Sequence, residues 1–388
     1  MTKKVLRDIN VIGPQNINKN SRVVIENDKI VSIEQDDFSS ENQHADVFEF
    51  AGNYYALPGF IDTHIHGAAG SDIIDGTPAD WQNISQFKLS QGTTGYLGTI
   101  LTSPKNKTLK LCRELADFFQ SGQNQNFIGV HMEGPFINRE KKGAQNENFI
   151  RPTDVEELQK WHQLLGKHLR LISLAPELEG SLEVIEYAVS NSIVVGAVHS
   201  AASYERMQEA FAAGLKLGAH LFNGMEGFHH RRPGIVGAFL EAENRYVELI
   251  ADGIHLHPAV IRFVLQSRHY KNTVLITDAM RACGKPDGSY DLGGRRVVIK
   301  EGVARTQEGN LAGSTLTMNQ ALKNIISFAD LDLTEASRLV STEPAGLLGL
   351  KDRGRLMPGK RADIAVLDEN LDVKMTFLGG RPVYDDLS

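Results

Sequence analysis

Short β-rich segments recur along the middle of the chain, and helical signals separate many of them. The eight segments are Phe60–His66, Thr93–Ile100, Phe127–His131, Arg170–Leu174, Ile193–His199, Leu215–His220, Tyr246–Ala251 and Thr273–Asp278. Strands that alternate with helices are typical of a parallel sheet covered by helices, and eight repeats in about 300 residues match a (β/α)8 barrel. The sequence therefore predicts an α/β fold with a TIM-like (β/α)8 barrel.

A doubly wound open sheet is the alternative fold. It predicts a glycine-rich phosphate-binding turn with the spacing G-x-G-x-x-G after the first strand. The residues at this place are His64-Ile-His-Gly-Ala-Ala-Gly, which lack that spacing. The barrel is therefore the favoured fold.

Three helical segments carry recognisable boundary signals. Thr77 is an N-cap candidate, and Gly92 follows the end of the same segment. Thr153 and Glu156 have the spacing of a capping box, and Ser203 is the N-cap candidate of a third segment. These signals predict helices in the connections between the barrel strands.

Both chain ends have β character. Residues 21–35 contain two β-branched runs separated by Asn27-Asp28, which predicts a hairpin. Further strands are predicted at Ala362–Leu367, Val373–Leu378 and Arg381–Tyr384. Neither end alone has enough strands for a core. We therefore predict a small β-sandwich domain formed by residues 1–57 and 356–388, with the barrel, residues 58–355, inserted between them.

Composition excludes several classes of protein. The 388 residues include 41 basic and 48 acidic side chains, a net charge of −7, whereas a nucleic-acid binder needs a basic surface. No apolar run approaches the roughly 20 residues of a membrane helix, and the N-terminus does not resemble a signal peptide. Cys112 and Cys283 are too few for a disulfide framework. We therefore expect a cytoplasmic enzyme without nucleic-acid or membrane partners.

Polar residues follow the predicted barrel strands at their carboxyl ends, where active sites of such barrels lie. The six candidates are His64, His66, Glu133, His199, His220 and Asp278. Alternate residues of a strand face the same side, so His64 and His66 can meet one metal ion. Four imidazoles and two carboxylates predict a site for one or two divalent cations.

Each candidate also has an ordinary structural explanation. A histidine near a strand end usually hydrogen-bonds to a neighbour, and His131, His168 and His229 are open to that explanation. Glu133 could stabilise a helix start, and Asp278 could be an N-cap. The ordinary explanation must hold independently at six positions at one end of one barrel, so the metal site is the favoured interpretation.

Several motifs resemble a known family. Leu57-Pro-Gly-Phe-Ile-Asp-Thr-His-Ile-His-Gly and Met357-Pro-Gly-Lys-Arg-Ala-Asp-Ile-Ala-Val-Leu resemble the two ends of the amidohydrolase superfamily. Five further motifs resemble a narrower group, the N-acetylglucosamine-6-phosphate deacetylase family. They are His131-Met-Glu-Gly-Pro-Phe, Gly218-Ala-His-Leu-Phe-Asn-Gly-Met, Ala251-Asp-Gly-Ile-His, Ile276-Thr-Asp-Ala and Leu311-Ala-Gly-Ser. These motifs span nearly the whole chain and follow one another in the same order as in the family.

This resemblance implies metal-dependent hydrolysis of the N-acetyl group of N-acetyl-D-glucosamine 6-phosphate, with glucosamine 6-phosphate and acetate as products of amino-sugar catabolism. It implies that Glu133, His199 and His220 hold one ion. His64 and His66 would hold a second ion, sharing Glu133 and with Asp278 as a further ligand, and Asp278 would be the general base. Zinc, iron, manganese and cobalt all suit such a ligand set.

The resemblance also implies the substrate contacts. Asn223, Gly224 and the backbone at Ala144, Leu311, Ala312 and Gly313 would touch the sugar. His255 and Arg231 would serve the phosphate end, with Arg231 supplied across a homodimer interface. Without the family context, the run His229-His-Arg-Arg is better explained as a solvated loop.

Gln145 departs from part of the family. Some members have a histidine at this position, lack the pair equivalent to His64 and His66, and use one metal. A histidine can become a cation beside an oxyanion, whereas Gln145 donates only a neutral hydrogen bond. Our hypothesis is that a second metal at His64 and His66 takes over that electrostatic role.

Two other functions remain alternatives. Superfamily members that hydrolyse cyclic amides typically bridge their metals with a modified lysine, but the bridging position here is Glu133, and Lys105, Lys107 and Lys110 fall in a helical segment. A non-catalytic scaffold of the same fold should have lost ligands or the base, and all six candidates are present.

Overall fold

A computed structural model describes residues 3–37, 45–51, 53–123, 125–268 and 270–387. The chain forms two compact units. One comprises Met1–Asp62, Gln86–Gly95 and Met318–Ser388, and the other comprises Thr63–Ser85 and Tyr96–Thr317. The predicted domain boundaries at 57/58 and 355/356 stay a prediction, since the compact units divide the chain at other places.

Both chain ends supply strands to one mixed eight-stranded sheet. Its strands are Lys3–Ile12, Ile17–Glu26, Lys29–Gln35, Ala45–Glu49, Tyr55–Pro58, Ile364–Leu367, Val373–Leu378 and Arg381–Asp385. Tyr55–Pro58 joins the two ends, because it pairs with Ile364–Leu367 on one side and with Lys3–Ile12 on the other. Apolar residues of both ends, among them Leu6, Val23 and Phe377, share one core.

The hairpin predicted at Asn27-Asp28 is confirmed. Glu26 pairs with Lys29, so the turn has two residues, and Asn27 has a φ of 57°. The common two-residue hairpin turns need a positive φ at their first residue, which asparagine tolerates better than most residues.

Eight parallel strands form the barrel, and all eight predicted segments are confirmed in their predicted order. The first to eighth barrel strands are Phe60–Ile65, Thr93–Leu101, Phe127–Glu133, Leu169–Leu174, Val194–Ala197, Leu217–Gly218, Tyr246–Ile250 and Thr273–Ile276. A parallel bridge between Ile65 and Ala279 and a 2.9 Å hydrogen bond from Asp278 N to His64 O connect the first strand to the eighth. The sheet therefore closes at its carboxyl edge.

Helices follow the barrel strands along the chain, as the alternation predicts. They are Pro78–Ser90, Lys105–Gln120, Val155–Leu165, Ser181–Ser190, Tyr204–Ala212, Gly234–Glu241, Pro258–Ser267 and Met318–Ala329, followed by Leu333–Ser337 and Glu343–Leu347. Their apolar residues recur at helical spacing. In Lys105–Gln120, for example, Leu111, Leu115 and Phe118 are buried. No helix in the described ranges combines the length and apolarity that a membrane span requires.

The third of these helices begins one residue later than predicted. Its N-cap is Asp154, whose carboxylate accepts a 3.1 Å hydrogen bond from Glu157 N. The prediction of Thr153 as the cap was wrong, because the Thr153 hydroxyl donates to Glu179 O instead. The predicted cap at Ser203 is confirmed by its hydrogen bond from Arg206 N.

A small antiparallel sheet lies in the chain between the eighth barrel strand and the helix Met318–Ala329. Its strands are Gly288–Leu292, Arg295–Lys300 and Val303–Thr306. Leu292 and Val297 of this sheet pack in one cluster with Leu101, at the end of the second barrel strand, and with Met280. The sheet thus packs beside the loop that follows the eighth strand. A further short pair, Gly67–Ala68 and Ser71–Asp72, follows the first strand.

Candidate metal centre

The carboxyl ends of the barrel strands bring all six predicted metal-site residues together. Three of them lie just beyond their strands with left-handed backbone, with φ values of 44° at His199, 30° at His220 and 48° at Asp278. Non-glycine residues rarely adopt this conformation, and it persists where the surrounding structure holds it. The turn at each strand end therefore aims the side chain into the centre.

Glu133 lies between two pairs of histidines. Its Oε1 is 3.1 Å from Nε2 of His199 and 3.1 Å from Nε2 of His220. Its Oε2 is 3.5 Å from Nε2 of His66 and 3.7 Å from Nε2 of His64. All five side chains are buried. One carboxylate thus bridges two groups of imidazole nitrogens.

Asp278 faces only one of these pairs. Its Oδ1 lies 2.9 Å from Nε2 of His66 and 3.7 Å from Nε2 of His64. The centre therefore has two groups of possible ligands, His199 and His220 with Glu133, and His64 and His66 with Glu133 and Asp278.

Hydrogen bonds orient the imidazoles of the first group. Nδ1 of His199 lies 2.7 Å from Lys141 O, and Nδ1 of His220 lies 3.1 Å from Asn223 O. A carbonyl only accepts, so in each ring Nδ1 donates to the carbonyl and Nε2 is the nitrogen that is turned toward Glu133. Both Nε2 atoms therefore face the same carboxylate oxygen of Glu133, an arrangement that suits three ligands of one cation.

The second group also fits a cation. Glu133 Oε2 and Asp278 Oδ1 are buried, and neither accepts a well-aligned hydrogen bond from any described residue. A buried carboxylate oxygen in this state is costly unless a positive charge compensates it. In both groups of three, the ligand atoms lie within 4.8 Å of one another. Imidazole and carboxylate ligands at such spacing suit a divalent transition-metal ion.

The charges of the two carboxylates follow from their surroundings. Burial raises the pKa of Glu133, but the imidazoles of His199, His220 and His64 outweigh it and hold that pKa well below its ordinary value. Burial also raises the pKa of Asp278, and the neighbouring imidazoles, His66 first, bring it below its ordinary value. Both groups are therefore ionised at neutral pH.

A cavity of about 240 Å³ opens beside the centre. Its lining residues are His66, Leu101, Glu133, Gly143, Ala144, Gln145, His199, His220, Asn223, Gly224, His255, Asp278, Leu292, Asn310, Leu311 and Gly313. Gln145 is among them, and so are six of the eight residues predicted to contact the sugar or the phosphate. Of the other two, Ala312 is buried in the cluster with Leu292, and Arg231 lies elsewhere.

Two glycines seat the His199 ring. Gly224 has a φ of +62°, and a Cβ added to it would lie 2.5 Å from Nδ1 of His199. A Cβ on Gly143 would lie 3.2 Å from Cε1 of the same ring. Gly224, predicted as a sugar contact, is thus also part of the packing around a possible metal ligand.

Gln145 is buried in the cavity wall with a fixed orientation. Its Oε1 accepts a 3.0 Å hydrogen bond from Thr102 N. Its Nε2 donates to no group in the described part of the chain. One amide donor beside the metal centre therefore remains for another partner.

His255 and Arg231 occupy different surroundings. Nδ1 of His255 is 2.6 Å from Oδ2 of Asp252, and although burial lowers the pKa of His255, this carboxylate raises it above its ordinary value. Arg231 is exposed, 2.9 Å from Nε2 of His230, and lines a separate cavity of about 590 Å³. Within one chain, Arg231 does not line the cavity beside the metal centre.

Comparison with known protein families identifies the family to which this chain belongs. The model of the amidohydrolase family matches residues 55–383. The chain belongs to the amidohydrolase family.

Individual proteins that are similar to this amidohydrolase are named as deacetylases of phosphorylated amino sugars. It is 35% identical to an N-acetylglucosamine-6-phosphate deacetylase of Lysinibacillus sphaericus, over 97% of each chain. It is 37% identical to an N-acetylgalactosamine-6-phosphate deacetylase of Escherichia coli O157:H7, over 84% of this chain and 86% of the relative. A solved mutant of the Mycobacterium smegmatis N-acetyl-D-glucosamine-6-phosphate deacetylase, in complex with N-acetyl-D-glucosamine-6-phosphate, is 29% identical, covers 99% of this chain and 100% of its own, and has a TM-score of 0.92.

Sequence reasoning missed two carboxylates of the amidohydrolase. Asp252 contacts His255, and Glu248 lies 3.2 Å from Nδ1 of His64. A signal for Glu248 existed, because it is a charged residue in the otherwise apolar seventh barrel strand.

For His131, the ordinary explanation of hydrogen bonds to neighbouring side chains holds. It is buried between Thr99 and Ser173, with Nε2 2.8 Å from the Ser173 hydroxyl.

Proposed function

We propose that this amidohydrolase removes the N-acetyl group from N-acetylglucosamine 6-phosphate, with acetate and glucosamine 6-phosphate as products. The observation that carries the proposal is the convergence of four imidazoles and two carboxylates at one centre, where all of them except the fully buried His64 line the wall of a cavity. The relatives described above support the substrate, because they are named as deacetylases of phosphorylated amino sugars.

We assign one or two divalent cations, zinc, iron, manganese or cobalt, to the centre. Glu133, His199 and His220 would hold one, and His64 and His66 would hold another together with Glu133 and Asp278. The chemistry that a bound divalent cation supplies is Lewis acidity, which activates water near neutral pH.

Asp278 acts as the general base in this proposal. It lines the cavity and is ionised at neutral pH, so it can take the proton of a water that attacks the acetyl carbonyl. It then passes the proton to the departing amine. Gln145 Nε2, a buried donor without a partner in the described residues, would donate a hydrogen bond to the acetyl oxygen, whose negative charge grows during the attack.

The sugar occupies the rest of the cavity. Ala144, Asn223, Gly224, Leu311 and Gly313 surround it, and the backbone at Ala312 lies in the same segment. His255 would contact the phosphate, since it is a buried histidine whose pKa is raised. In a homodimer, Arg231 would reach the phosphate of the substrate bound in the neighbouring subunit. Guanidinium groups suit this role because they bind phosphate oxygens in bidentate fashion.

Acetate release tests the reaction. N-acetylglucosamine 6-phosphate should yield acetate, a chelator should abolish the release, and added metal should restore it. N-acetylgalactosamine 6-phosphate belongs in the same assay, since one relative is named for it. Absence of release with every metal would contradict the proposal. Turnover of a cyclic amide alone would favour the alternative amidohydrolase, and inactivity toward all substrates would favour a scaffold.

His64→Asn tests the hypothesis that a second cation takes over the role of the family histidine at the Gln145 position. Loss of one of two bound ions together with most of the acetate release is the expected result. A single tightly held ion at full activity, unaffected by the substitution, would contradict it.

Arg231→Ala tests the phosphate contact. It should weaken binding of the phosphorylated sugar far more than binding of N-acetylglucosamine, and equal losses would refute the contact.

Mixing Arg231→Ala with Asp278→Asn tests the crossing between subunits, because only a hybrid dimer with Arg231 reaching across contains one complete site. Recovery of acetate release on mixing is expected.

The proposed compartment is the cytoplasm. Cys112 and Cys283 are both buried outside any disulfide, as in proteins of reducing compartments.

A further inference from the structure

Glu248 is a buried carboxylate behind the metal centre that the proposed reaction does not use. It lies in the seventh barrel strand with no exposed surface. Its Oε1 accepts a 2.7 Å hydrogen bond from the Thr63 hydroxyl, and its Oε2 is 3.2 Å from Nδ1 of His64. The first and seventh barrel strands are not neighbours in the sheet order, so these contacts cross the barrel interior.

The partners of the imidazoles divide the centre into two unlike halves. His199 and His220 each have a backbone carbonyl at Nδ1, which carries no net charge. His64 has the carboxylate of Glu248. A carboxylate partner fixes the tautomer of a ligating histidine, as a carbonyl does, and also strengthens its Nε2 as a ligand and adds negative charge near the ion.

We propose that Glu248 is a positioning residue that holds the cation at His64 and His66, and that it thereby decides whether this chain binds a second ion. The proposal rests on the two-ion form of the proposed function. Thr63 assists by donating to Oε1, which leaves Oε2 directed at His64. The ion at His199 and His220 has its own partners and does not depend on Glu248.

Metal titration of the chelator-stripped protein tests this inference. Co²⁺ and Zn²⁺ are added to the wild type, Glu248→Gln and Thr63→Val, and bound metal is counted by elemental analysis and competition with a chromophoric chelator. Glutamine keeps the size of the side chain and its ability to hydrogen-bond, so Glu248→Gln isolates the charge. We expect a second binding step weakened about 10- to 100-fold in Glu248→Gln, with the first step unchanged. Thr63→Val should show a smaller change of the same step.

Two controls define the result. Glu157→Gln alters another buried carboxylate of the same compact unit, one paired with Arg151, and should leave both steps as in the wild type. His64→Asn should lack the second step. Equal affinities in Glu248→Gln and wild type, equal weakening of both steps, or a wild type that binds one ion would each overturn the inference. Acetate release by the wild type separates this failure from a failure of the proposed function, since release can occur with either outcome of the titration.

Discussion

At the scale of single residues, the centre depends on conformations that the chain adopts only under constraint. The positive φ angles at His199, His220 and Asp278 each cost about 1–3 kcal/mol in a non-glycine residue. Packing around the rings must repay this cost, and the glycines beside His199 show how closely that packing is adjusted.

Gly224→Ala tests this packing. Alanine is strained at the positive φ of Gly224, and its Cβ would collide with His199 Nδ1. We expect weaker metal binding by Glu133, His199 and His220 and at least a tenfold loss of acetate release, with the helix content in circular dichroism unchanged. Gly227→Ala is the matched control, because a Cβ there meets no atom within 4 Å. Full activity of Gly224→Ala would contradict the packing argument.

His255 predicts a pH dependence of substrate binding. Asp252 raises the pKa of His255 above its ordinary value of 6.5, so the imidazolium persists to higher pH and is lost as the pH rises through the raised pKa. The substrate phosphate loses its second proton near pH 6 and stays doubly charged above it. The KM for N-acetylglucosamine 6-phosphate should therefore rise above neutral pH. His255→Asn should show a high KM without this step, and the same pH profile in both proteins would exclude a role for His255.

At the scale of elements, the loops after the first and eighth barrel strands are joined. Arg281 lies 3.2 Å from Asp72 and 2.9 Å from Asp75, and Gly70 N donates to Arg281 O at 2.8 Å. The two loops follow His66 and Asp278 directly, so this link holds the second group of ligands in register.

Arg281→Met should destabilise the compact unit that contains Arg281 and Asp72, which comprises Thr63–Ser85 and Tyr96–Thr317. It leaves the buried carboxylate of Asp72 without its cation, a loss of about 3 kcal/mol in the free energy of unfolding at neutral pH. Burial raises the pKa of Asp72 and Arg281 opposes it, so without Arg281 the defect should shrink as the pH falls and Asp72 protonates. Urea unfolding measures the effect. Adding Asp72→Asn should recover most of the lost stability, and additive losses in the double variant would argue against the pairing.

At the scale of the whole molecule, the metal centre links catalysis to stability. Ligands from distant strands converge only in the folded barrel, so a cation binds the native state and not the unfolded chain. Removal of the metal should lower the thermal midpoint of unfolding of the compact unit that comprises Thr63–Ser85 and Tyr96–Thr317. If the free ion is present at about 100 times its dissociation constant, its removal lowers the free energy of unfolding by about 2.7 kcal/mol. Scanning calorimetry with and without chelator checks this, and Zn²⁺ should restore the midpoint. An unchanged midpoint would show that the folded barrel holds no ion.

Much of this architecture follows from local patterns. The eight barrel strands were predictable because β-branched runs and breaker residues are local signals, and the Asn27-Asp28 turn was predictable for the same reason. The cap at Asp154 was missed because Thr153 and Asp154 offer overlapping capping patterns, and only the distant carbonyl of Glu179 decides which side chain is free to cap.

The sequence by itself determined the order of the strands, the six ligand candidates and the family, since each is written in contiguous residues. The tertiary structure decided the rest. It shows that Glu133 lies between two histidine pairs, that Gly224 packs on His199, and that Glu248 reaches His64 from 184 residues away. Closure of the barrel produces these contacts, because it brings into hydrogen-bonding distance side chains whose separation along the chain carries no local signal.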